Sequence, residues 1–163
     1  MPVALWDASA LVKRYYNEVG SPVVDTVFAA APAIDMATTF LGYAECAATL
    51  RRRFNSRVID QAAFSSARFL LRQEVLSSQS FRLMSIDDGA MLNGVGWIDA
   101  YSINSADAAI LDVYLRHARS TSDVCVLIAA DARLLRAADA EGLRTLNPEL
   151  MPAADVPAFF AAL

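Results

Sequence analysis

The chain opens with a short apolar run, Val3 to Trp6, that stops at Asp7, after which Leu11, Val12, Tyr15 and Tyr16 recur at helical spacing. A buried strand therefore leads directly into a helix. Ser21-Pro22 predicts the next helix, with Ser21 as its cap and Pro22 at the first helical position, running on through Ala30. Ala33 to Ala37 predicts a second strand, and Thr38 or Thr39 can cap a helix from Phe40 to Arg53. Ile59 to Leu76 has the period of one long amphipathic helix, and Phe81 to Ile86 reads as extended. A further helix is expected to begin at Asp87 or Asp88, against the opposition of Gly94 and Gly96. Ala106 to Ala118 is helical again, with Ile110, Leu111 and Tyr114 on one face. Val124 to Ala129 is an unbroken β-rich apolar run, the pattern of a strand at the centre of a parallel sheet, and Asp131 closes it. Ala132 to Ala140 predicts a helix ended by Gly142, and Arg144 to Leu146 a last short strand before Asn147-Pro148.

Strands that alternate with helices imply an α/β fold, with a parallel sheet of four to five strands covered on both faces by right-handed crossovers. In such sheets ligands bind beyond the carboxyl ends of the strands, where Asp7 and Asp131 fall. A chain of 163 residues is expected to form a single domain spanning residues 1–163.

Composition narrows the picture. Apolar residues make up 56% of the chain, yet no run approaches the roughly 18 to 20 that a spanning helix needs. Asp7, Lys13 and Arg14 interrupt the amino-terminal region in a way unlike a secretory signal, so the cytoplasm is the expected compartment. Cys46 and Cys125 sit in apolar surroundings at no metal-ligand spacing, as reduced core thiols do. The net charge of −4 argues against a protein that coats nucleic acid by charge alone. Arg51, Arg52, Arg53 and Arg57 form the one dense basic group.

The candidate chemistry lies in the carboxylates. Asp7, Asp107 and Asp131 each stand at the head of an expected helix, where an Asp is also an ordinary N-cap. Glu45 is harder to place, because Leu41 and Ala48 lie on its side of the helix and no Lys or Arg stands three or four residues away. Packed as predicted, these carboxylates converge at the open end of the sheet, where mutual repulsion raises their pKa values unless a cation neutralises them. An all-oxygen donor set without paired His or close Cys suits Mg²⁺ or Mn²⁺ rather than Zn²⁺. Water activated at such an ion is a nucleophile for phosphodiester hydrolysis.

The segments Leu5-Trp6-Asp7-Ala8-Ser9-Ala10-Leu11-Val12-Lys13, Glu45-Cys46-Ala47-Ala48, Ala106-Asp107-Ala108-Ala109-Ile110-Leu111 and Leu127-Ile128-Ala129-Ala130-Asp131 resemble, in order and spacing, the four signature blocks of the PIN-domain ribonucleases. Within that family the chain is most similar to the VapC-type toxins of toxin-antitoxin pairs. The resemblance runs from Pro2 to about Pro148. It implies a PIN-like, Rossmann-like domain that cleaves single-stranded or looped RNA with Mg²⁺ or Mn²⁺ held by Asp7, Glu45, Asp107 and Asp131, with Ser9 helping to arrange the first of them. It also implies 3′-hydroxyl and 5′-phosphate products, a homodimer, and inhibition by a small antitoxin protein. Ala129 departs from the pattern, since family members often carry Thr or Ser there.

The remaining polar residues fit structural roles. Asp112 lies roughly 140° around the helix from Asp107 and does not face the same ion. Asp87 and Asp88 read as helix caps, and the single histidine, His117, as a surface or helix-end residue. Tyr15, Tyr16 and Phe54 follow a helical period typical of core, and Gly94-Val95-Gly96 lacks the strand and third glycine of a dinucleotide fingerprint. The expected function is a metal-dependent endoribonuclease of the toxin type. A stand-alone PIN nuclease in RNA processing and a catalytically silent PIN-like binding module are the alternatives.

Overall fold

Five short strands form one parallel sheet in the order β3-β2-β1-β4-β5, comprising β1 (Val3–Trp6), β2 (Asp35–Thr39), β3 (Phe81–Met84), β4 (Cys125–Ile128) and β5 (Arg144–Leu146). The computed structural model describes residues 1–163 apart from the side chain of Pro32. The chain moves outward from β1 to β3 and then returns to β4 beside β1, so the strand order switches direction between β1 and β4. That switch opens a crevice beyond their carboxyl ends.

Both faces of the sheet are covered, which is why its central strands are apolar at every position instead of alternating. Ala4, Trp6, Val126 and Ile128 point into a layer made by α1 (Ala8–Leu11), α2 (Ser21–Ala29), α3 (Phe40–Asn55), α4 (Gln61–Leu71) and α8 (Val156–Ala161). Val3, Leu5, Cys125 and Leu127 point into the other, made by α5 (Asp88–Tyr101), α6 (Ser105–Ser120) and α7 (Ala132–Ala140). Trp6, Leu5, Leu127 and Ile128 are fully buried. Each large apolar side chain so placed contributes on the order of 1.5–3 kcal/mol. Among the described residues, no helix is long and apolar enough to cross a membrane.

Several elements depart from the sequence reading, each for a tertiary reason. Gly20, not Ser21, caps α2; its φ of 92° suits glycine, and it packs on the Pro148 backbone, leaving no room for a side chain. The Ser21 hydroxyl instead donates to the Lys13 carbonyl at 2.7 Å. β2 lies two residues later than expected, because Thr38 and Thr39 pair with Leu83 and Met84 before Thr39 caps α3. Helix α4 starts only after Asp60 caps it, and its last turn relaxes into a π turn over Arg72–Leu76. Helix α5 persists through Gly94, since the missing side chain lets α5 approach α6: a Cβ there would sit 3.4 Å from the Ala108 and Ala109 backbone. The carboxyl-terminal residues fold back as α8 against α2, burying Val156.

Candidate active site

The carboxyl end of β1 is fixed by two buried hydroxyls. Thr38 Oγ1 and Tyr114 Oη donate to the Trp6 carbonyl at 2.8 and 2.7 Å, filling both lone pairs one residue before Asp7. Asp7 then leaves the strand and caps α1, accepting the Ser9 N–H at 2.8 Å. The Ser9 hydroxyl donates to the same carboxylate and accepts the Ala130 N–H at 2.9 Å. Ser9 thus holds Asp7 and joins the β1–α1 turn to the β4–α7 turn.

The other candidates come from three further helices. Glu45 lies in the second turn of α3, beside the buried stripe Gly42, Cys46 and Leu50 and not on it. Ala48 is exposed, so the apolar surroundings inferred from Leu41 and Ala48 are a stripe edge. The nearest influential cation is Arg52, two turns on and outside the three- or four-residue spacing. Asp107 is the third residue of α6, whose cap is Asn104: the Asn104 side chain accepts the Asp107 N–H at 2.9 Å and donates to its carboxylate at 2.8 Å. This reciprocal cap releases Asp107 from capping its own helix. Asp131 does cap its helix, accepting from Arg133 and Leu134 at 2.7 and 3.0 Å.

Asp7, Glu45, Asp107 and Asp131 line one open cleft of about 550 Å³ together with Ser9. Asp7 is buried, Glu45 and Asp107 are half-buried, and Asp131 is exposed. Burial raises the Asp7 carboxyl above its ordinary pKa, while the Ser9 hydrogen bonds oppose the rise. Burial and then the Asp7 charge raise Glu45. Asp107 is pushed up to about 7 by burial and by the charges of Asp7, Asp131 and Glu45. Burial is the first cause of each of these rises, and the charges of neighbouring carboxylates add to it.

The donor chemistry of these residues is of the kind that suits a hard divalent cation. Every cluster donor is oxygen, and a cation relieves both repulsion and the desolvation of the charged form. Among the described residues, no three such side chains close into one tight shell, because Asp107 and Asp131 are turned toward Asn104 and the head of α7. An ion that keeps several waters needs only one or two direct carboxylates.

The cleft has a basic wall that the sequence reading left incomplete. Lys13 is buried between Glu18 at 2.9 Å and Glu149 at 2.7 Å, and Arg53 reaches Glu18 at 3.2 Å. Lys13 falls within the first signature block, but its partner Glu149 is 136 residues away and leaves no local signal. Asn104 had one: an Asn three residues before an Asp at a helix start. Asp112 stays outside the cleft, bound by Trp97 Nε1 at 3.2 Å and Arg116 Nε at 2.9 Å. Asp87 caps α5, Tyr15 is core, Phe54 stacks on Phe64 within the protein, and both cysteines are free and buried.

Solved structures share this architecture. The chain matches the FitAB complex bound to the IR36 DNA fragment with a TM-score of 0.63, 15% identity, and coverage of 91% of this chain and 97% of that one. It matches VapBC2 from Rickettsia felis bound to a promoter DNA fragment with a TM-score of 0.59, 10% identity, and coverage of 89% and 98%. A toxin-antitoxin complex from Klebsiella pneumoniae gives a TM-score of 0.56, 15% identity, and coverage of 89% and 97%. At these identities the likeness is one of fold, and the fold is PIN-like. No protein-family model and no curated protein matches the sequence.

Proposed function

We propose that this protein is a divalent-metal-dependent endoribonuclease that hydrolyses RNA phosphodiester bonds as the toxin of a toxin-antitoxin pair. The observation that carries the reading is the convergence of Asp7, Glu45, Asp107 and Asp131, from four separate elements, on one cleft at the strand-order switch. In this reading Asp7, Glu45, Asp107 and Asp131 hold Mg²⁺ or Mn²⁺, one or two of them directly and the others through the waters the ion keeps. Such an ion supplies charge stabilisation for the phosphate and a lowered pKa for attacking water.

The protein's own residues do the rest. Ser9 fixes the Asp7 carboxylate and ties it to the α7 turn, and Asn104 restrains the Asp107 carboxylate at the head of α6. Arg52 lines the same cleft without an acidic partner among the described residues, and its charge is free to offset that of a phosphodiester backbone, whereas Lys13 and Arg53 are held by Glu18 and Glu149. The fold shared with a toxin-antitoxin complex, and with the FitAB and VapBC2 assemblies, supports a small antitoxin as partner. Exposed Met91, Leu92 and Val95 on α5 offer apolar surface for that partner or for a homodimer. The test is cleavage of single-stranded RNA by the wild type and Asp7→Asn, each with Mn²⁺ and with EDTA. Activity of the wild type with Mn²⁺ alone supports the reading, and equal activity in any other arm overturns it.

A further inference from the structure

An acidic cleft repels the polyanion it is to cut, so the strand needs a positive approach. Residues 51–72 supply one, holding six arginines against the single acid Asp60, a local charge of +5 in a chain whose net charge is −4. Within that hairpin of α3 and α4, two consecutive arginines are exposed and differently disposed. Arg52 lines the acidic cleft and donates to Thr49 at 2.7 Å; among the described residues it has no carboxylate at ion-pair distance. Arg53, by contrast, is engaged by Glu18 and lies over the Tyr16 ring.

Arg51 turns the other way. Its guanidinium carbon lies 4.4 Å from the Phe64 ring centroid and 5.6 Å from that of Phe54, and those rings are themselves stacked at 5.0 Å. Arg51 therefore lies beside the Phe54–Phe64 pair, against both rings, and carries its planar cation at the exposed edge of that pair. Unpaired bases stack on arginine planes as they do on aromatic rings. Between the level of Glu45 and these arginines the outer crest of α3 carries only Ala44 and Ala48, so no bulky side chain blocks a strand lying along it.

We infer that the carboxyl-terminal half of α3 is the path by which single-stranded RNA reaches the cleft, Arg52 holding a phosphate at the rim and Arg51 providing a stacking shelf for an unpaired base. The inference rests on the ribonuclease reading above. It is tested by fluorescence anisotropy with a labelled single-stranded oligouridine RNA, using Asp7→Asn with Mg²⁺ as the uncleaving parent. In that background Arg51→Lys keeps the charge but loses the plane, and weakens binding about fivefold or more. Arg52→Ala weakens binding and reduces the salt slope by about 0.7, the share of one single-strand phosphate. Arg144→Ala, at the opposite end of the sheet, binds as the parent does. A purely structural Arg51 moves the melting temperature and leaves RNA affinity unchanged. If the parent binds RNA and both Arg51→Lys and Arg52→Ala bind equally tightly with the same slope, the path is wrong and the ribonuclease reading survives. If the parent binds no RNA, both fall.

Discussion

The Ser9 hydroxyl oxygen accepts the Ala130 N–H at 2.9 Å while its proton is given to the Asp7 carboxylate. One side chain thus couples the first acidic turn to the last across the strand-order switch. Ser9→Ala leaves a backbone donor without its partner and lets Asp7 rotate. The expected result is a loss of about 10–100-fold in Mn²⁺ affinity or cleavage rate, with a stability loss of only about 1 kcal/mol. Calorimetric Mn²⁺ titration alongside thermal melts separates the two; wild-type affinity in Ser9→Ala contradicts the positioning role.

Asp107 gives the metal-free protein a pH dependence. The folded state holds its proton up to about 7, well above the ordinary carboxyl value of 3.8, so the folded protein binds that proton more tightly than the unfolded chain. The resulting stability is fully present below about pH 4 and is lost as pH rises through about 7. Melting temperatures of EDTA-treated protein should therefore fall across this window, and Asp107→Asn should flatten the fall. The raised Asp7 and Glu45 carboxyls leave a residual slope of the same sign. Parallel profiles for wild type and variant contradict the assignment.

Gly42 is required by space. A Cβ there would lie 2.6 Å from Thr38 Oγ1, which cannot yield without giving up its bond to the Trp6 carbonyl. Gly42→Ala is expected to destabilise by about 1–3 kcal/mol and to lower activity by displacing the end of β1. Denaturant unfolding measures the first effect; an unchanged midpoint shows that the contact relaxes freely.

Lys13 is buried against two partly exposed acids. Lys13→Met is expected to cost less than the roughly 3–5 kcal/mol of breaking a fully buried pair, because Glu18 and Glu149 retain water. Adding Glu149→Gln should recover part of the loss. A double variant no more stable than Lys13→Met shows that Glu149 carries no unpaired-charge penalty.

The alternation of strands and helices, the sheet's parallel sense and the placement of Asp7 and Asp131 at strand ends were all legible in the sequence, because they follow from local period and burial. The departures come from contacts between distant segments. Gly94 weakens an isolated helix, yet α6 rewards the close approach it permits. Gly20 is chosen by the Pro148 backbone, and Lys13 is completed by Glu149. The sequence sets Glu45 on an apolar stripe that the fold places one flank away; its carboxyl is nonetheless raised, by burial and Asp7. The sequence leaves Asp131 open between a cap and a site residue; in the fold it caps α7 and also lines the cleft.

The most direct test of the central claim is the chemistry of the ends left when the wild type cuts a single-stranded RNA in Mn²⁺. Water activated at the acidic cluster leaves 3′-hydroxyl and 5′-phosphate ends, and Asp7→Asn leaves the RNA intact. Products ending in 2′,3′-cyclic phosphate, or the same cleavage by Asp7→Asn, would contradict hydrolysis at this site.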